Sequence, residues 1–155
     1  MISIITVTFN NFDDLYRTLN SLNKVKGIEK IVVNGGECTK TKEYLSNFDG
    51  IAISEPDKGI SDAFNKGVSH ANGENVMFLN SGDILLSPDY LHEAENIIKF
   101  NPEISFVHSD LVFEDRISGD IRLTALQPFF FKAPPLGRGM PYLSLIHISE
   151  PTRPY

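Results

Sequence analysis

The hydrophobic residues of this chain follow two alternating patterns, short apolar runs and stripes at intervals of three and four. Four such runs, residues 3–8, 29–33, 51–54 and 76–79, predict strands. The runs at 3–8 and 76–79 are predicted to be buried. The stripes predict helices between them; these are residues 12–22, 40–48, 60–71 and 88–100. The alternation predicts an α/β fold with a mostly parallel sheet.

Capping residues support the helix boundaries. Asn11 or Asp13 is available to cap the first helix, and Ser87 precedes a proline that suits the first turn of the fourth. Gly73 is expected to end the third helix as a carboxyl-terminal cap.

The pattern weakens after the fourth helix. A fifth strand is predicted at 104–108, and residues 111–114 and 121–124 are predicted to pair as a hairpin. Residues 127–142, QPFFFKAPPLGRGMPY, have no period and are rich in proline, glycine and phenylalanine. A loop covered by another segment is therefore expected there.

Composition sets broad limits. With 155 residues, 41% hydrophobic and 22% charged, the chain is expected to form one globular domain. A net charge of −6 argues against a nucleic-acid or anionic-membrane surface, so an anionic ligand would need a metal or backbone amides. The lone Cys38 cannot form an internal disulfide, which fits a reducing cytoplasm. No secretory signal or run of about 20 apolar residues is found, so no transmembrane segment is expected.

The carboxyl-terminal segment resembles a sequence of non-biological origin. Residues 143–153, LSLIHISEPTR, resemble the translation of an adapter used in preparing sequencing libraries. We therefore expect a domain at residues 1–142, incomplete at its carboxyl end, and a non-native tail at residues 143–155.

Polar residues and a carboxylate directly follow the central apolar run. Residues 76–83 read VMFLNSGD, which sets Asp83 on a Ser-Gly turn at the carboxyl end of a buried strand. In open α/β sheets ligands bind in the crevice outside these ends, where a carboxylate suits a hard divalent cation bridging phosphate oxygens. The loop at 55–59 faces the same crevice, and its backbone amides favour anions.

The sequence lacks the motifs of several other kinds of binding and catalytic site. The turn after the first strand, Thr8 to Asn11, has no glycine, which disfavours dinucleotide-binding and P-loop sites. No G-x-S-x-G motif is found, and His70, His92 and His108 lack metal-ligand spacing.

Four blocks occur in order along the chain: SIITVTFNN (3–11), IEKIVVNGG (28–36), SEPDKGISDAFNKG (54–67) and FLNSGD (78–83). This pattern resembles the family 2 glycosyltransferases, inverting enzymes of GT-A fold that use nucleotide-diphospho-sugars. The resemblance covers residues 3 to about 87, and GRGMPY (137–142) is a weaker match. It implies a three-layer α/β/α, Rossmann-like architecture with a mostly parallel sheet.

The resemblance also implies site residues. Those implied to bind the nucleotide-sugar are Thr8, Phe9, Asn34, Asp57, Lys58, Asn80, Ser81 and Gly82, and Asp83 is implied to bind Mg²⁺ or Mn²⁺. Many family members have aspartate at the positions of Asn34 and Gly82. The catalytic base, a carboxylate that would deprotonate the acceptor hydroxyl for an inverting attack, is expected beyond Tyr142.

Each candidate also has a purely structural interpretation. Asp83 fits a turn, Asp57 and Lys58 fit a solvated surface turn, and Asn34 can cap the loop that follows it. Lys66, with its neighbour Asn65, is expected on an exposed helix face.

The resemblance favours a bacterial glycosyltransferase of cell-surface polysaccharide assembly, cytoplasmic or peripheral to the inner membrane face. The favoured donor is a UDP-sugar, and the acceptor is a saccharide or lipid-linked. The alternative is a nucleotide-sugar-binding module without turnover, because the acceptor half and base are missing. A nucleotidyltransferase is disfavoured, since its glycine-rich first loop is absent.

Overall fold

The computed structural model describes residues 1–104, 106–107, 111–114, 120–124 and 130–132. Strands and helices alternate as the hydrophobic pattern predicts. In chain order the elements are β1 (Ile2–Thr8), α1 (Phe12–Ser21), β2 (Ile28–Asn34), α2 (Thr39–Leu45), β3 (Ile51–Ser54), α3 (Ile60–Ser69), β4 (Asn75–Phe78), α4 (Asp89–Phe100), β5 (Phe106–Val107), β6 (Leu111–Glu114), β7 (Ile121–Thr124) and β8 (Phe130–Lys132).

The main sheet has a parallel centre. Its strand order is β3-β2-β1-β4-β8-β5, with β1 parallel to both β2 and β4, and β2 parallel to β3. β8 pairs antiparallel with β4 and β5, and β6 pairs with β7 in a separate hairpin. The predicted α/β fold with a mostly parallel sheet is confirmed.

Helices cover both faces of this sheet because successive strand residues point to opposite sides. On one face Ile4 and Val32 pack with Leu15 of α1, and Leu45 of α2 and Leu91 of α4 belong to the same buried cluster. A second buried cluster contains strand residues of the other face together with α3; its members are Ile5, Val7, Ile31, Val33, Ala63, Phe64 and Val76. The result is a three-layer sandwich.

The strand order reverses direction between β1 and β4. From β1 the chain moves outward through α1 and α2 to β3, then returns through α3 on the opposite face to the other side of β1. Ligands of open α/β sheets bind outside the carboxyl ends of the strands at such a switch point. The ends of β1 and β4 are therefore the place to examine for a site.

Two predicted helix boundaries are wrong. Gly73 does not cap α3, because the helix ends at Ser69 and the N–H of His70 bonds to the carbonyls of Gly67 and Val68. The N–H of Gly73 instead donates to Ser3 Oγ at 2.8 Å. At α4, Pro88 holds the cap position and makes no side-chain capping bond, so Ser87 is not the cap.

The predicted loop at 127–142 contains a strand. Residues Phe130–Lys132 form β8, and the prediction of irregular structure is wrong for them. A strand of three residues is too short to show alternation of polar and apolar residues, so the run carried no period-two signal. The rest of 127–142, with the predicted base position and tail beyond it, lies outside the described residues.

No helix among the described residues is both long enough and apolar enough to cross a bilayer.

Glu29 joins three segments at the amino-terminal edge of the sheet. Its carboxylate accepts from the Ser3 hydroxyl, from the Asn72 N–H at 2.8 Å and from Asn72 Nδ2 at 2.7 Å. Desolvation raises the pKa of this carboxyl. The hydrogen bonds from Asn72, Ser3 and the Gly73 backbone outweigh that effect, so the pKa lies below its ordinary value of 4.5.

This contact predicts acid sensitivity. A lowered pKa means that Glu29 stabilises the fold fully above pH 4.5, and that this contribution is lost as pH falls through the lowered value. Replacing Glu29 with glutamine should flatten the acid limb of a plot of unfolding free energy against pH, measured by urea titration. Glu93→Gln, at an exposed position of α4, is the control. An unchanged acid limb in Glu29→Gln would contradict the role.

Candidate functional site

Thr8 is the centre of the carboxyl edge of the sheet. It lies opposite Asn34 in the ladder, and its carbonyl accepts from the Gly35 N–H at 3.1 Å. On its other side the Ser81 N–H donates to the Val7 carbonyl at 3.3 Å. Neighbouring strands lie about 4.8 Å apart, so the end of β1, the end of β2 and the loop after β4 meet within about 10 Å.

Asn34 is fully buried and closes the loop that follows β2. Its Oδ1 accepts from the Gly36 N–H at 3.1 Å, and its Nδ2 donates to the Gly36 carbonyl at 3.1 Å and to Ser54 Oγ at 3.2 Å. The loop-capping interpretation of Asn34 is therefore observed. Its contact with a nucleotide stays a prediction.

Asn10 connects the loops after β1 and β2. It has a φ of +52°, a left-handed conformation that asparagine adopts more readily than most residues. Its Oδ1 accepts from the backbone N–H groups of Glu37 at 2.8 Å and Cys38 at 3.0 Å. Beside it Phe9 is 68% exposed, so an aromatic side chain is available at the end of β1.

Asp57 reaches the same corner from the β3–α3 loop. Its carboxylate lies directly over Gly35, where a Cβ would come within 1.8 Å of Asp57 Oδ2. The other carboxylate oxygen accepts from the Gly59 N–H at 2.9 Å. Asp57 is half-buried and Lys58 is exposed. The structure thus brings together Thr8, Asn34 and Asp57, which lie on three different segments.

The loop after β4 is clamped to α1 through Thr18. The Asp83 N–H donates to the Asn80 carbonyl at 3.0 Å, and Gly82 has a φ of +104° in the resulting turn. The buried Thr18 hydroxyl accepts from the Gly82 N–H at 2.8 Å and lies 3.3 Å from the Asn80 carbonyl. The turn that carries Asp83 is consequently fixed to a helix in the core.

The Asp83 carboxyl ionises less readily than an ordinary aspartate, because its pKa is raised. Desolvation raises its pKa, a hydrogen bond from the Asn80 backbone opposes the rise, and the negative charge of Asp14 adds to it. The Asp14 carboxylate lies beside the turn, 3.5 Å to 3.6 Å from where a Cβ of Gly82 would be. The Asp83 side chain is nonetheless exposed, so screening by solvent limits the shift. A cation at this corner would relieve the repulsion.

The side-chain oxygen atoms near Asp83 provide only part of the ligands that magnesium or manganese would need. Magnesium is commonly held by one or two carboxylates together with substrate phosphates, and Asp83 with Asp14 nearby meets that need. Ser81 Oγ is buried without a hydrogen-bond partner among the described residues. Within those residues no group of three or more His, Cys, Asp or Glu is arranged to hold a metal. Such an ion would therefore take further oxygen ligands from the bound donor.

Two cavities lie elsewhere on the molecule. One of about 340 Å³ lies beside α1 and α2 and is lined in part by Lys30, Tyr44 and Phe48. The other, of about 270 Å³, borders Met1 and Leu91 at the opposite edge of the sheet. Neither is lined by a predicted site residue, and the contacts of those residues with a donor stay predictions.

Three residues near the site were missed by sequence reasoning. Thr18 continues the apolar stripe of α1 between Leu15 and Leu19, and a buried hydroxyl within such a stripe was its signal. Asn10 stood in the Asn-Asn pair after β1 without a distinguishing pattern. Asp14 had none, because its proximity to Gly82 arises only from the tertiary fold.

Comparison with known proteins identifies the family. Residues 3–141 match Glycosyl transferase family 2. The chain is 38% identical to the uncharacterized glycosyltransferase MT1564 of Mycobacterium tuberculosis (strain CDC 1551 / Oshkosh), with 77% of this chain and 50% of the relative aligned. The same values hold for the uncharacterized glycosyltransferase Rv1514c of strain ATCC 25618 / H37Rv. The chain therefore spans about half the length of these relatives.

Solved structures share the fold at low identity. The mannosyltransferase PcManGT from Pyrobaculum calidifontis, in complex with GDP-Man and Mn²⁺, superposes with a TM-score of 0.66 at 16% identity, covering 84% of this chain and 44% of that one. S. aureus TarS 1-349 in complex with UDP-GlcNAc gives a TM-score of 0.55 at 23% identity, covering 65% and 32%. The predicted GT-A fold is confirmed by this likeness, and the match over residues 3–141 establishes that the chain belongs to glycosyl transferase family 2.

Proposed function

We propose that this chain is the donor-binding part of an inverting glycosyltransferase that uses a nucleotide-diphospho-sugar with Mg²⁺ or Mn²⁺. The observation that carries the proposal is the convergence of four loops around Thr8, at the point where the strand order reverses. Strand ends at such a point are the usual ligand site of α/β sheets.

The residues of this edge have complementary roles in the proposal. The exposed Phe9 offers an aromatic side chain to the nucleobase, and Thr8 and Asn34 border the nucleoside. Asp57 and Lys58 bind from the β3–α3 loop, and Asn80, Ser81 and Gly82 border the diphosphate. Asp83 holds the cation, and when bound that ion would offset charge on the departing diphosphate.

The proposed substrates are supported by the ligands of proteins that share this fold. PcManGT carries GDP-Man with Mn²⁺ and TarS carries UDP-GlcNAc, so nucleotide-sugars of both bases occur on this fold. A UDP-sugar remains our proposed donor, and a saccharide or lipid-linked molecule of cell-surface polysaccharide assembly our proposed acceptor. We further propose a cytoplasmic location, peripheral to the inner membrane face, and a catalytic carboxylate beyond Tyr142.

A donor-binding module without turnover is the second candidate. It is supported by the positions of the residues proposed to bind the donor, all of which lie between Thr8 and Asp83. Both candidates require the same donor site, and they differ only in whether the sugar leaves the nucleotide.

The test is calorimetric titration of the chain with UDP and with GDP, each with and without Mn²⁺. We expect one nucleotide to bind in a metal-dependent manner, with UDP the tighter of the two. Release of nucleoside diphosphate from the matching nucleotide-sugar then separates the enzyme from the module. Absence of metal-dependent binding by either nucleotide would refute the donor site itself.

A further inference from the structure

Lys66 is not the exposed helix residue that its position in the sequence predicts. Its ammonium group donates to the Pro56 carbonyl at 2.6 Å, and it lies 3.0 Å from a carboxylate oxygen of Glu55 and 3.5 Å from one of Asp62. Only 22% of its side chain is exposed. The β3–α3 loop therefore folds back over α3 and encloses this side chain.

The contacts of Lys66 continue through the loop to the donor edge. Asp62, which it contacts, accepts from the Lys58 N–H at 3.0 Å. At the start of the loop the Glu55 N–H donates to the Asn34 carbonyl at 3.1 Å. Lys66 thus contacts the start of the segment that carries Asp57 directly and reaches its end only through Asp62. The start of that segment is also tied to β2.

The segment from Glu55 to Asp62 carries a high density of negative charge. Glu55, Asp57 and Asp62 are three carboxylates within eight residues of sequence. The hydrogen bond to Glu55 raises the pKa of Lys66, desolvation opposes the rise, and the charges of Glu55 and Asp62 add to it. Lys66 therefore stays cationic and reduces carboxylate repulsion within the loop that is proposed to bind the donor.

We propose that Lys66 is a positioning residue for donor binding, which holds the β3–α3 loop so that Asp57 lies over Gly35. The inference rests on the proposed donor site. It assigns Lys66 no contact with the donor itself.

The test compares the wild-type chain with Lys66→Met and Lys66→Arg, using Lys24→Met, at an exposed position after α1, as the control. Hydrogen exchange at the amides of Lys58 and Gly59 reports on the loop without any ligand. Calorimetry with UDP and Mn²⁺, and with GDP and Mn²⁺, reports on the site. Thermal unfolding reports on the fold.

In Lys66→Met, we expect the amides of Lys58 and Gly59 to exchange about tenfold faster than in the wild-type chain. We also expect the nucleotide to bind about tenfold more weakly. The melting temperature should change little, because solvent-accessible ion pairs contribute little to stability. Lys66→Arg should restore both losses in large part, and Lys24→Met should show neither. If Lys66→Met fails to fold, Glu55→Gln should give the same changes at smaller size.

Unchanged exchange and affinity in Lys66→Met would overturn the inference. A fall in melting temperature with faster exchange throughout α3 would overturn it too, since Lys66 would then be only structural. If the wild-type chain binds neither nucleotide, the proposed donor site fails, and the exchange rates alone decide whether Lys66 holds the loop.

Discussion

Replacing Asp83 with asparagine is expected to weaken manganese-dependent binding of a nucleoside diphosphate about 100-fold. Asparagine keeps the shape and one carbonyl oxygen but loses the negative charge that attracts a hard cation. Loss of groups that only orient metal ligands already costs 10- to 100-fold in affinity, so loss of a ligand belongs at the upper end of that range.

The same substitution should leave the fold at least as stable at neutral pH. The pKa of Asp83 is raised by desolvation and by Asp14, so the folded chain binds this proton more tightly than the unfolded chain does. Stability linked to Asp83 is therefore present at low pH and is lost as pH rises through the raised pKa. An uncharged side chain removes that penalty, as is common at binding sites that trade stability for function.

Calorimetry with Mn²⁺ and nucleotide, together with thermal unfolding at neutral pH, checks both parts of the Asp83 prediction. Asp13→Asn, which removes an exposed charge from the first turn of α1, is the matched control. Undiminished metal-dependent affinity in Asp83→Asn would remove Asp83 from the metal site. A large loss of stability would instead mean that the carboxylate supports the turn.

Replacing Asn34 with alanine is expected to destabilise the fold by about 3 kcal/mol, because a buried donor or acceptor left unpaired costs about 1–3 kcal/mol. The substitution orphans both the N–H and the carbonyl of Gly36, a buried residue, and also frees Ser54 Oγ. Denaturant unfolding gives the loss directly. The loop over which Asp57 packs should loosen with it.

Two further variants separate the contributions of Asn34. Aspartate keeps the acceptor for the Gly36 N–H but loses both donors and faces the Gly36 carbonyl with a charge, so we expect an intermediate loss. Ser54→Ala removes a single bond at an exposed position and should cost under about 1 kcal/mol. Equal stability of Asn34→Ala and Ser54→Ala would contradict the loop-closing role.

The centre of the sheet was predictable because buried parallel strands are apolar on both faces, as in β1, where all seven residues are buried. Strand β3 was predicted with its observed bounds, whereas β2 extends one residue further at each end than its apolar run. Asn34 belongs to that extension, because backbone pairing with β1 and β3 continues after hydrophobicity stops. A hydropathy pattern therefore underestimates the length of a strand where the end of that strand carries polar site residues.

The arrangement of the site was less predictable for a different reason. The contacts that fix the Asn80–Asp83 turn join it to Thr18, which is 62 to 64 residues away in sequence. No local propensity encodes such a pair. The burial of Lys66 was missed because helical periodicity describes a helix alone, and here the preceding loop folds back over the exposed face.

The pairing of β8 with β4 has a consequence for synthesis of the chain. β4 lies next to β1 on one side, and its other edge is paired by β8, which is made roughly 50 residues later. At about 5–20 residues per second, the ribosome needs about 3–10 s to supply it. During that interval the hydrogen-bonding edge of β4 is open to pairing with another chain, which makes this strand the point where crowded expression should cause aggregation first.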